Sequence, residues 1–141
     1  MKIVPDNGFT HPPYKSVSFE TEKFPPYGYD IKKGEISFGY YSNGEVALMI
    51  YDHFDGLYAV PTLNLEDYGL HPQPGRVFIK DYSETAGIHK KLHEMGVISE
   101  PVRTVVFGPY NTQAHECEVL ADKWECEVQA GEWVESSPED N

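Results

Sequence analysis

The stretch GRVFIKDYSETAGIHKKLHEMGVISEPVRTVVFG, Gly75 to Gly108, decides the fold. It reads strand, helix, strand. Arg76-Val77-Phe78-Ile79-Lys80 and Val102-Arg103-Thr104-Val105-Val106-Phe107 are short β-branched and aromatic runs bounded by turn residues. Between them, Asp81 to Met95 carries a helical pattern. Asp81 and Glu84 stand at capping-box spacing, with Ser83 an equally good N-cap. Ile88, Leu92 and Met95 recur at i, i+4 and i+7 as one apolar stripe. Gly96 stands where a left-handed residue ends a helix, and Val97 follows as its hydrophobic partner. A helix with one narrow stripe needs a sheet to lie on.

Working outward, Ile36 to Tyr41 and Val46 to Tyr51 flank Ser42-Asn43-Gly44-Glu45, an Asn-Gly hairpin signal. Asp55-Gly56 offers a second turn, and Leu57 to Leu63 reads as a third strand, made an edge or bulge by Pro61. Asn64 to Pro74 reads as a loop. Pro5, Pro12, Pro13, Pro25 and Pro26 break up residues 1–34 into a Pro-rich arm. One short edge strand, Ser16 to Thr21, fits there, and Phe9, Phe24, Tyr27 and Tyr29 argue that the arm packs. The prediction is an α+β domain, a twisted antiparallel sheet of about five to six strands with one helix (about 82–95) on one face. Its parts are the arm 1–34, a core domain 35–120 and an acidic C-terminal extension 121–141.

The 141 residues suffice for one domain with a real core. No apolar run approaches the roughly 18 residues of a spanning helix, and the N-terminus lacks a signal-peptide core, so a cytoplasmic protein with no membrane partner is expected. Cys117 and Cys126 are too few for a disulfide framework. Net charge is −12 and unevenly spread. Residues 1–115 hold 14 acids and 10 bases, whereas residues 116–141 hold 9 acids and only Lys123. Direct nucleic-acid binding needs clustered Lys and Arg and is excluded on that ground.

The acidic end contains a repeat. His115-Glu116-Cys117-Glu118-Val119-Leu120-Ala121 and Trp124-Glu125-Cys126-Glu127-Val128-Gln129-Ala130 share x-E-C-E-V-x-A. Paired as a hairpin about Asp122-Lys123, they would put Glu118 opposite Glu127, a destabilising juxtaposition. Either the copies do not pair, or the glutamates meet something basic. Glu116, Glu118, Glu125 and Glu127, with Trp124 and Trp133, are therefore the candidate partner-binding residues.

Chemistry-bearing constellations are sparse. His89 and His93 stand at i and i+4, a spacing that can share a zinc ion, but no third ligand is evident and Lys90 and Lys91 mark a solvated face. Asp52, His53 and Asp55 crowd a turn, where polar residues belong for turn reasons. Cys117 beside His115 invites a thiol nucleophile, although free cysteines are usually buried small hydrophobes. Phosphate-loop, dinucleotide, nucleophile-elbow and paired C-x-x-C motifs are absent. No cofactor and no catalytic residue is indicated. The ten tyrosines fit either an aromatic β core or an interface.

Tyr41-Ser42-Asn43-Gly44-Glu45-Val46-Ala47-Leu48, Tyr58 to Leu65, Val77 to Glu84, Gly96-Val97-Ile98 and Arg103 to Gly108 resemble a family of small domains of unknown function from bacterial plasmids, phages and conjugative elements. The resemblance covers about residues 35–120, and Lys80-Asp81-Tyr82-Ser83-Glu84 is its most specific part. It implies an accessory protein of a mobile element and no catalytic residues. In that setting the acidity points to a non-enzymatic anti-defence inhibitor, of the anti-restriction or anti-CRISPR kind, binding a basic surface of a host protein. The alternatives are a small metal- or ligand-dependent enzyme at His89 and His93 or at Asp52-His53, and an assembly protein of a phage or conjugation apparatus.

Overall fold

The computed structural model describes residues 13–123 in full and Ile3–Val4 by backbone. Two antiparallel sheets enclose the core. In the first, β3 (Tyr29–Tyr41) is long enough to take two partners along one edge: β2 (Val17–Phe24) on its first part and β1 (Ile3–Val4) at its end. Its other edge takes β4 (Val46–Asp52), which pairs in turn with β5 (Gly56–Ala59). The second sheet runs β6 (Thr62–Leu63), β7 (Arg76–Ile79), β9 (Thr112–Glu118), β8 (Arg103–Phe107) in spatial order.

Alternation along the strands aims one side chain in two at the interior. Ile36, Phe38, Leu48 and Ile50 of the first sheet meet Val77, Ile79 and Cys117 of the second, all at most 2% exposed. The Val77-Phe78-Ile79 run is continuous because β7 is covered on both faces. Phe78 points the other way, into a smaller cluster with Leu65, Val105 and Ala114. At Gly34 only a glycine fits, since a Cβ would run into the Tyr51 carbonyl oxygen and come within 2.8 Å of the Phe19 ring.

Several expectations need correction. There are nine described strands in two sheets, not about five to six in one. Leu57 to Leu63 is not one strand: it breaks at Val60-Pro61 into β5 and β6, which belong to different sheets. Pro61 has no N–H to continue a ladder, and its carbonyl instead accepts the Lys80 N–H at 2.7 Å. Residue 34 falls inside β3, and Phe24 and Ile31 of the Pro-rich stretch are fully buried. The Asn43-Gly44 hairpin forms, with Gly44 at φ 89° closing a three-residue loop.

The helix is shorter than predicted. A 3-10 turn, Ser83–Thr85, precedes α1, which spans only Ile88–Glu94. Gly87 between them is left-handed at φ 88°, and Pro25 leaves no room for a Cβ there without adjustment. Glu84 turns to Lys80 at 2.5 Å rather than closing a capping box, and Asp81 Oδ1 accepts the N–H of His89 at 3.1 Å. The C-terminus ends as the sequence predicts: Gly96 N–H donates to the His93 carbonyl and Val97 N–H to that of Leu92, both at 3.0 Å. Ile88 and Leu92 lie fully buried in the main core.

Leu92→Ala is expected to lower unfolding free energy by about 2–5 kcal/mol in urea titrations. A near-wild-type midpoint would contradict the packing of α1. Gly34→Ala is expected to lose about 1–3 kcal/mol through overpacking, read in the same titration.

Candidate interaction surface

Two turns at one end of the first sheet carry the largest exposed hydrophobic side chains of that sheet. Between β2 and β3, Pro25-Pro26-Tyr27-Gly28 turns the chain with Gly28 at φ 71°, leaving Tyr27 90% exposed. Between β4 and β5, Asp52 Oδ1 accepts the Phe54 N–H at 2.9 Å, an Asx turn that leaves Phe54 77% and Leu57 54% exposed. Tyr29 ties the turns together. Its hydroxyl donates between Asp55 Oδ2 at 2.7 Å and Asp52 Oδ2 at 3.0 Å. Its ring stacks on Tyr58 at 5.0 Å, and the Tyr58 hydroxyl donates to the Pro25 carbonyl at 3.1 Å, closing the circuit.

The charges follow from these bonds. Hydrogen bonds to Asp55 and then Asp52 raise the Tyr29 phenol above its ordinary value, so it stays a neutral donor. The Phe54 N–H holds the Asp52 carboxyl below its ordinary value, with the Tyr29 hydroxyl adding to it against burial. Asp55 is exposed beside Phe54, whereas Asp52 is buried. Comparison of the chain with protein-family models, curated proteins and solved structures gives no match.

The residues expected to bind a partner are placed otherwise. Glu116 needs correction, because its side chain is 0% exposed. Its Oε1 accepts from Arg103 Nε, while Oε2 accepts the Gln73 N–H at 2.9 Å and faces Arg76 Nη1 at 3.5 Å. Burial works against its charge, but the Gln73 N–H and the two guanidiniums outweigh it, and the carboxyl is held below its ordinary value. Glu118 is half exposed and faces Arg76 at 3.7 Å. Among the described residues, β7 pairs with His115 to Glu118 of β9 and β8 with Thr112 to Glu116, and the second copy of the repeat lies outside them. Trp124, Glu125, Glu127 and Trp133 lie outside the described residues.

The chemical candidates also find their places. His89 and His93 stack at 5.8 Å, and His115 of β9 stands edge-on to His89 at 6.1 Å, a neighbour that sequence spacing could not reveal. Four of their six nitrogens have partners: His89 Nε2 the Ser99 carbonyl, His93 Nδ1 the Ile98 carbonyl and Nε2 Glu100, and His115 Nδ1 Thr104. Among the described residues no group of three His, Cys, Asp or Glu is arranged to hold a metal ion. His53 lies 4.0 Å from Glu35 and lines a cavity of about 360 Å³ with Lys33 and Glu20, and no side-chain hydrogen bond joins those three. Cys117 is fully buried, and its thiol is pushed up to about 12 by burial, then by Glu100, Asp81 and Glu116. A thiol so held is no nucleophile at neutral pH.

In a Cys126→Ser chain, Cys117 is expected to resist iodoacetamide at pH 8 when folded and to react once unfolded in urea. Rapid native labelling would contradict its burial. Glu116→Gln is expected to lose about 1–3 kcal/mol at pH 7, since it removes a charged acceptor from two arginines. A depressed folded pKa stabilises above the unfolded value of about 4.3 and stops doing so as pH falls through the folded value. Wild-type stability should therefore decline more steeply below about pH 4.3 than that of Glu116→Gln, as acid unfolding followed by circular dichroism would show.

Proposed function

We propose that the protein is a non-enzymatic interaction module whose contact surface is the pair of turns bearing Tyr27 and Phe54, with Leu57 of β5 beside them. The observation that carries the reading is their exposure on turns held in place by Tyr29, Asp52 and Asp55. Large side chains displayed on a preorganised support bind with little loss of freedom, and such anchors dominate interface energetics. The exposed Asp55 and the net charge of −12 favour a partner that is apolar at its centre and basic at its rim.

The family resemblance of residues 35–120 supplies the partner class. It is a host defence enzyme, of the restriction or CRISPR kind, whose nucleic-acid-binding face is basic. The glutamate-face reading keeps only Glu118 among the described residues, so the aromatic turns take over as the anchor, with the acidic residues 124–141 adding long-range attraction.

The test is affinity capture from bacterial lysate, followed by titration of the captured protein against wild type and against a Tyr27→Ser/Phe54→Ser chain. One defined protein, bound at least roughly 30-fold more weakly by the double variant and more weakly again as salt rises, is expected. Equal binding by both chains would remove these turns as the contact.

A further inference from the structure

The other side of the Pro25–Gly28 turn opens into a cleft of about 370 Å³ along α1. Its walls carry Lys23, Lys90 and Lys91 around Phe24, Pro25 and Pro26. Three of the chain's 11 basic residues thus converge on one concave site in a protein of net charge −12. Lys91 is held by Glu22 at 2.5 Å and lies over the Phe24 ring. Lys23 and Lys90 are exposed and have no acidic partner among the described residues. Glu94 lines the same cleft. The site therefore offers two uncommitted ammonium groups beside an apolar floor.

We propose that this cleft docks the chain's own acidic segment, with Trp133-Val134 against the proline wall and Glu132 and Glu135 toward Lys23 and Lys90. Charge complementarity is the first argument. Residues 124–141 contain six acidic side chains and no basic one. Within them, Glu132-Trp133-Val134-Glu135 sets an apolar pair between two carboxylates, matching Pro25 and Pro26 in a cleft that also holds Lys23 and Lys90.

Reach is the second argument. Asp122 accepts the Lys15 N–H through its carbonyl, which places the last described residues beside the start of β2, whereas the cleft lies at the far end of that strand. The eight residues of β2 span about 26 Å, and ten extended residues from Lys123 to Trp133 cover about 33–36 Å. In the reading above, a basic partner must then displace the segment from its own lysines. The docking itself needs no partner and stands apart from the two-turn surface.

Both of the chain's tryptophans, Trp124 and Trp133, lie in this segment, so their emission reports on it without a label. In the full chain carrying Trp124→Phe, acrylamide quenching of Trp133 at low salt is expected to be at least threefold weaker than in a free 131–141 peptide. It should rise to the peptide's value near 1 M salt, where the screening length falls to about 3 Å. Lys23→Glu/Lys90→Glu should give peptide-like quenching already at low salt, with circular dichroism unchanged, and Lys32→Glu should not. Three results would overturn the inference: peptide-like quenching at low salt, protection indifferent to Lys23→Glu/Lys90→Glu, and protection that grows with protein concentration, which would place the segment on a second copy. None of them would affect binding through Tyr27 and Phe54.

Discussion

The buried carboxylate of Glu116 is the constraint from which the second sheet follows. A glutamate whose side chain is fully buried stays ionised only with its acceptor capacity met. Arg103 comes from β8, Arg76 from β7 and the Gln73 N–H from the loop before it. Arg103 also donates to the His71 carbonyl at 3.2 Å, so the loop and three strands meet at one charge. This fixes β9 between β7 and β8.

That placement separates acidity from function on this strand. Glu116 spends its charge on the fold, and Glu118 keeps half its surface but faces Arg76. Display is left to the first sheet, where two turns run past the ends of the strand ladder. There the same chemistry works at a different depth. A phenol between two aspartates holds Tyr27 and Phe54 in the open instead of closing a core. The basic cleft on the far side of the Pro25–Gly28 turn lies against the same support.

What could be read from the sequence was local. The Leu92 stripe, the Gly96-Val97 helix end, the Asn43-Gly44 hairpin and the strand after Gly75 all depend on neighbours within a few residues, and all are present. The division into two sheets was not legible, because Pro61 announces a break in a ladder but not which sheet the chain joins next. α1 starts only after Gly87, left-handed at φ 88° and standing against Pro25, sixty-two residues away in sequence. The site was illegible for the same reason. Asp52 and Asp55 read correctly as turn residues, yet nothing local announces that Tyr29 would bridge them. Glu116, with Glu118 two residues on, looks like an outward-facing strand residue until Arg76 and Arg103 are brought beside it.

The measurement that bears most directly on this account is the carbon-13 NMR titration of the Glu116 side-chain carboxyl in the intact protein, assigned by comparison with Glu116→Gln. The account predicts a midpoint below the ordinary glutamate value of about 4.3, reached while the amide spectrum is still that of the folded chain. A midpoint at or above that value would mean that the two arginines do not hold the carboxylate. β9 would then return as a glutamate-bearing surface open to a partner.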